Sequence, residues 1–347
     1  MENTKKLKRI IYLSLLVLFI GIIIFVSRGP YISNALKRII LPELENMSGR
    51  KVIAQKIYLN LFPLFVEARG LKFFDEEGNR VLTAERVKGY VGLSGILRKE
   101  IMLKRVVITG PEISTDRGQI DDIIGKVKDY LAIENPKKVK VRAGVIEVRN
   151  GDFSFYDAGY NAVITGEKVS GEVLLGDVPK MKIDIKNLIS NIKDFPEFRC
   201  EMRGTLLFNK DGIHIKNITL KSYASEMQAE GFYSAEGKGA LKADLNLIVD
   251  SVKKVFGLKR EGEGRISAKG DIKFGEGPPV IDIRLKGSFY LQTLMELLKV
   301  EERVEGMVDF DGKMSGAITN ITGSADARLR RGNLFNVYID ELRWKVS

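Results

Sequence analysis

From Ala240 onward the chain alternates apolar and polar residues with a period of two. Leu241, Ala243, Leu245, Leu247 and Val249 alternate with Lys242, Asp244 and Asn246. Ile266, Ala268, Ile272 and Phe274 are interleaved with Arg265, Ser267, Lys269, Asp271 and Lys273. The pattern continues through Ile281, Ile283 and Leu285, through Val304, Val308, Phe310 and Met314, and through Ile321, Ala325, Ala327 and Leu329. Successive side chains on a strand point to opposite faces, so each run predicts a strand that is apolar on one face and charged on the other. Together they predict a long sheet with one apolar face. Its candidate lining is Leu241, Leu245, Leu247, Ile266, Ile272, Phe274, Ile281, Ile283, Leu285, Val308, Phe310, Ile321 and Leu329.

Upstream the same reasoning gives strands at 51–59, 64–74, 81–93 and 101–108, the last stopped by Gly110 and Pro111. A helix is expected at 120–131, with Ile120, Ile123, Ile124, Val127, Tyr130 and Leu131 on one side. Asn135, Pro136, Lys137 and Lys138 form a polar break and a subdomain boundary. Strands follow at 139–148, 153–156, 161–174, 180–188, 198–208, 213–220 and 227–234. Short helices at 252–258 and 291–300 are too brief to cover the sheet. Ile32, Leu36, Ile39 and Ile40 predict an amphipathic helix over 31–47, with Ser33 or Asn34 as its cap, ending at Ser48 and Gly49. Such a helix can lie on a membrane surface or pack on the first strands. Landmark residues do not recur at a fixed period, which argues against a β-helix or propeller.

Residues 10–26 carry no charge, follow Lys5, Lys6, Lys8 and Arg9, and precede Arg28. At 1.5 Å per residue this stretch covers roughly 25 Å, enough to span a bilayer once flanking side chains snorkel. No small-x-small site follows Val26, so an uncleaved anchor is expected, with Ile10, Leu15, Leu18, Ile22 and Val26 in the hydrocarbon. The basic cluster before it sets the first nine residues in the cytoplasm and the body outside.

The net charge of +11 suggests an anionic partner or a solvated face. The cations alternate with apolar residues and are mixed with Asp and Glu rather than grouped with stacking aromatics, which disfavours nucleic acid. Cys200 is the sole cysteine and His214 the sole histidine. An intrachain disulfide, a zinc site of usual ligands and a Ser-His or Cys-His nucleophile pair all lack material. His214, between Ile213 and Ile215, is expected on the polar side of its strand. Gly231 to Gly239 departs from a phosphate loop in spacing and lacks its Ser or Thr. Asp121 with Asp122, and Glu301 with Glu302, fit a helix start and a solvated face better than acid–base work. No metal, cofactor or enzymatic activity is expected.

Several segments resemble the AsmA-like superfamily of Gram-negative envelope proteins, the group that contains TamB and YhdP. Ser48, Gly49, Arg50, Lys51 and Val52 enter the first strand after the anchor and short helix. Then come LKFFD at 71–75, VLTAERV at 81–87, ITGPE at 108–112 and IEVRNGDFSFYD at 146–157. VEGMVDFDGKMSG at 304–316 and ITGSADARLRRGN at 321–333 are similar to the Gly, Asp and apolar alternation of the TamB-like members. The resemblance implies a β-groove whose apolar interior holds acyl chains, and a role in moving phospholipid from inner to outer membrane or in outer-membrane assembly.

The expected fold class is thus mainly β: a transmembrane helix, then an elongated, curved antiparallel β-sheet groove with a few short helices. The expected parts are a basic tail (1–9), an anchor (10–27), a juxtamembrane helix (28–50), a β subdomain with one helix (51–138) and the elongated groove (139–347). The expected function is passive phospholipid conduction by an inner-membrane protein with its bulk in the periplasm. The alternative is an anchored scaffold for outer-membrane protein assembly. Its sheet edge near Leu342, Trp344 and Val346 would dock an outer-membrane or periplasmic partner by strand addition.

Overall fold

The computed structural model describes residues 29–61, 63–92, 100–116, 118–119, 122, 140–158, 161–193, 196–209, 211–234, 236–250, 264–297, 304–334 and 337–346. The anchor and its basic flank lie outside them, as do the helix at 252–258, the polar break at 135–138 and, apart from Asp122, the helix at 120–131. Among the described residues no helix is long and apolar enough to cross a membrane. The protein is mainly β. It divides into two units, Met1–Asp157 and Ala158–Ser347.

The first unit begins with helix α1 (Pro30–Ser48). Gly29 is extended and Pro30 occupies the first turn, where its fixed φ fits and its missing N–H is no loss. At the other end Gly49 is left-handed (φ 62°) and its N–H donates to the Glu45 carbonyl at 2.8 Å. Neither Ser33 nor Asn34 caps the helix, because it starts one turn earlier. Ser33 is instead buried, and its hydroxyl accepts the Ile57 N–H at 3.2 Å. Leu36, Ile40, Leu41 and Leu44 pack onto Val52, Ala54, Ile57, Leu71 and Ala84, the core of this unit. The packed placement of the helix is therefore the one adopted.

Six strands follow: β1 (Lys51–Ile53), β2 (Lys56–Leu61), β3 (Leu64–Phe74), β4 (Arg80–Gly92), β5 (Glu100–Asp116) and β6 (Lys140–Asp157). The expected strand at 51–59 is broken at Ala54 and Gln55, so that β1 and β2 pair with opposite ends of β3. Strand β5 runs through Gly110 and Pro111 rather than stopping there. Gly70, Gly110 and Asn150 have φ of 59°, 57° and 52° and lie beside one another across β3, β5 and β6. This shared irregularity admits a proline inside a paired strand. The pair β5–β6 is parallel, with Ile108 opposite Val148 and Ile113 opposite Phe153. A parallel pair needs a connection of a dozen residues or more, and 117–139 is long enough. Because β6 pairs along its length with β5, the division between units falls after Asp157.

The second unit contains β7 (Ala162–Leu174), β8 (Lys180–Ile192), β9 (Phe198–Asn209), β10 (Gly212–Ser222), β11 (Ser225–Ser234) and β12 (Gly239–Ile248). It continues with β13 (Gly264–Phe274), β14 (Val280–Tyr290), helix α2 (Leu291–Leu297), β15 (Val304–Ala317), β16 (Asn320–Leu334) and β17 (Val337–Val346). Each strand pairs antiparallel with the next, from β7 to β17. Its described elements pack chiefly strand to neighbouring strand, with α2 on β14 and β15.

Candidate functional site

Cross-strand partners share a face, so the registers show what each face of the second unit carries. One row crosses all eleven strands: Val169, Ile185, Met202, Leu220, Met227, Leu245, Ala268, Leu285, Gly312, Ala325 and Val346. Two residues along, a second row joins Gly171, Ile183, Gly204, Ile218, Ala229, Ala243, Gly270, Ile283, Met314 and Gly323. Further along in the same direction, a third joins Val173, Met181, Leu206, Ile215, Gly231, Leu241, Ile272, Ile281, Gly316 and Ile321. None of these positions has a polar side chain. They form an apolar lane running across the strands, roughly 50 Å from β7 to β17 at ~4.8 Å per strand.

Shorter rows extend the lane. Leu247, Ile266, Gly287, Phe310, Ala327 and Trp344 make one; Gly264, Phe289, Val308, Leu329 and Leu342 make the next. Phe274 lies at the opposite margin, its ring 5.8 Å from that of Tyr233. All the lining residues expected from the alternation, from Leu241 to Leu329, are thus brought to one face. The stretch from β7 to β11 falls within the expected groove, but its lining residues are not among those expected, although Met181, Ile183 and Ile185 between Lys180, Lys182, Asp184 and Lys186 carry the same signal.

Cover over the lane is uneven. At the end near α2, Val308 and Leu329 are 4% and 1% exposed. Along the middle, Leu241, Leu245, Ile272, Ile283, Leu285 and Phe310 are only half-buried, and Ile321 at the turn end is 40% exposed. The glycines of the lane allow close strand approach. A Cβ on Gly270 would strike the Asp282 carbonyl and lie 2.7 Å from Ile283 Cα; one on Gly231 would strike the Ala240 carbonyl and lie 2.9 Å from Leu241 Cα. Bare positions let the neighbouring backbone approach closely on this face.

The opposite face is charged and laced across strands. Lys269 pairs with Asp244 at 3.3 Å, Lys313 with Asp282 at 3.2 Å, and Arg284 grips both oxygens of Asp311 at 3.2 and 3.1 Å. Arg330 pairs with Asp309, and Glu341 accepts from Arg328 and Arg343. Those two guanidiniums, Arg328 first, hold the Glu341 carboxyl below its usual range. Arg284 does the same for Asp311. A cavity of about 1020 Å³ over β13–β17 is lined largely by this charged face, including Lys286, Asp311, Arg328 and Arg343. Gly287, Phe310, Ala327 and Trp344 of the lane also contribute to its lining.

His214 projects away from the lane, opposite Leu207, with its ring 4.5 Å from Phe232. Cys200 is buried, which pushes its thiol up and away from reactivity. Gly231 to Gly239 forms the β11–β12 hairpin, closed by Ser234 and Lys238. Asp122 accepts from the buried Arg50 at 2.7 Å. Among the described residues no three His, Cys, Asp or Glu side chains are grouped to hold a metal. The chain matches no protein-family model and no curated protein.

Proposed function

We propose that this protein is a membrane-anchored, non-enzymatic carrier of phospholipid, whose acyl chains lie along the apolar lane of the second unit. The observation that carries this reading is the unbroken apolar register from β7 to β17, over which, among the described residues, a helix packs only at β14 and β15. An acyl chain spans half of a hydrocarbon core of roughly 30 Å, so the lane accommodates more than one along its length. Each methylene withdrawn from water contributes about 0.8 kcal/mol. No side chain along the lane offers a polar stop, and movement along it is passive. Residues 10–26 supply the inner-membrane anchor, the basic residues before them its orientation, and the AsmA-like resemblance the route toward the outer membrane.

Trp344, the sole tryptophan, lies on the lane opposite Ala327 and reports on occupancy directly. Phospholipid with brominated acyl chains, added to the full chain in detergent, is expected to quench it at least twofold. Phospholipid brominated only on the headgroup should quench it little. Equal quenching by the two would overturn the lane as the acyl-chain site.

A second reading, docking of a protein partner by strand addition, is favoured by the exposure of Val337, Tyr338 and Leu342, at 61%, 68% and 41%, on β17. Here Tyr338→Lys with Val337→Lys abolishes function in cells, whereas a charge in the lane is tolerated. The converse result rejects this reading.

A further inference from the structure

The outward face of the first unit carries a second grouping that the lane does not involve. Before the shared irregularity in β3, β5 and β6, the registers align Arg69, Arg86, Thr109 and Arg149 in one row. The next row holds Glu67, Lys88, Val107 and Glu147, and the next Phe65, Tyr90 and Arg105. Five cations share this face with two carboxylates. Glu67 is 5% exposed and lies 2.5 Å from Arg69 and 3.6 Å from both Arg86 and Lys88. Glu147 lies 2.5 Å from Arg149 and 3.5 Å from Arg105. Each carboxylate is already shared among several cations, so the face keeps a net positive charge.

Over these rows is a cavity of about 310 Å³, floored by Val107 and walled by Arg86, Lys88, Tyr90, Arg105, Thr109 and Arg149. Thr109 is the central hydroxyl, with Arg86 and Arg149 as its neighbours on the two adjoining strands. Two strand spacings put those arginine backbones about 10 Å apart, a gap two guanidiniums can close on one tetrahedral oxyanion. The carboxylates below hold the guanidiniums in place, and Arg86 and Arg149 are partly exposed, on the solvent side of these contacts.

We propose that this cavity binds a phosphate group, bracketed by Arg86 and Arg149 with Thr109 between them. The phosphate belongs either to a phospholipid headgroup or to a small soluble phosphate. This site is independent of the acyl-chain lane and stands if the lane reading fails.

The test is titration calorimetry on the full chain in detergent, at constant ionic strength. Its probes are inorganic phosphate, monomeric dihexanoyl phosphatidate and sodium chloride. Saturable binding of phosphate or phosphatidate, but not chloride, is expected. Arg86→Gln combined with Arg149→Gln should weaken it at least tenfold. Thr109→Asp should weaken it comparably while giving the arginines a carboxylate that keeps the fold, and Lys269→Glu, outside both the cavity and the lane, should leave it unchanged. Phosphatidate at least tenfold tighter than phosphate assigns the site to a lipid headgroup; equal affinities assign it to a soluble phosphate. Absence of saturable binding, or wild-type affinity in Thr109→Asp, overturns the proposal.

Discussion

At the scale of single residues, the glycines of the lane are its most demanding positions. Gly270→Ala places a methyl group against the Asp282 carbonyl and Ile283 Cα. It is expected to cost about 1–3 kcal/mol in urea unfolding, as overpacking does. Gly275→Ala, at a turn position with nothing within 4 Å, should stay within about 0.5 kcal/mol. Alternation made the aliphatic lining readable, but not which glycines were obligatory, since that depends on how closely the neighbouring strand approaches. The charged face has its own test. Glu341 has a lowered folded pKa, so its contribution to stability is present above the ordinary carboxylate range, near 4.3, and lost as pH falls through the lowered value. Carbon-13 NMR of the carboxylate should therefore show Glu341 titrating below ordinary glutamates, and Arg328→Gln should move it up toward them.

At the scale of elements, α1 depends on a few defined contacts. Ser33→Ala removes the acceptor of the Ile57 N–H, and a buried bond of this kind is worth about 1 kcal/mol. Gly49→Ala places a β-carbon at φ 62° and should cost a similar amount. Both are measured by the shift in urea midpoint. The helix was legible because Leu36 and Ile40 have helical spacing; its start was not, because Gly29 and Pro30 begin it more effectively than the polar pair Ser33 and Asn34. The parallel pairing of β5 with β6 was not legible either. A period of two records which face a side chain occupies, not the direction of the neighbouring strand. The basic cavity was hidden for a related reason. Arg86, Arg105 and Arg149 are far apart in sequence, and each stands between one apolar and one polar residue, so that nothing local marks them as a group.

At the scale of the molecule, the lane reading separates the two faces of the second unit functionally. Ile283→Lys and Phe310→Asp place charges on the lane, whereas Lys269→Glu changes only the laced face. The lane variants should lose at least tenfold of the phospholipid that co-purifies with the protein, measured by mass spectrometry, with circular dichroism still showing the sheet. Lys269→Glu should retain it. Cross-strand ion pairs tie one side of this sheet together while the other side is thinned by glycine and, among the described residues, covered only near α2. Bending is therefore mechanically asymmetric. The laced side resists stretching through its cross-strand ion pairs, each worth up to about 1 kcal/mol, whereas the bare side can narrow or widen without breaking a hydrogen-bonded ladder. Under the proposed carrier function, such compliance would let a single sheet accept cargo of different girth, and stiffening the bare side would narrow that tolerance before it reduced stability.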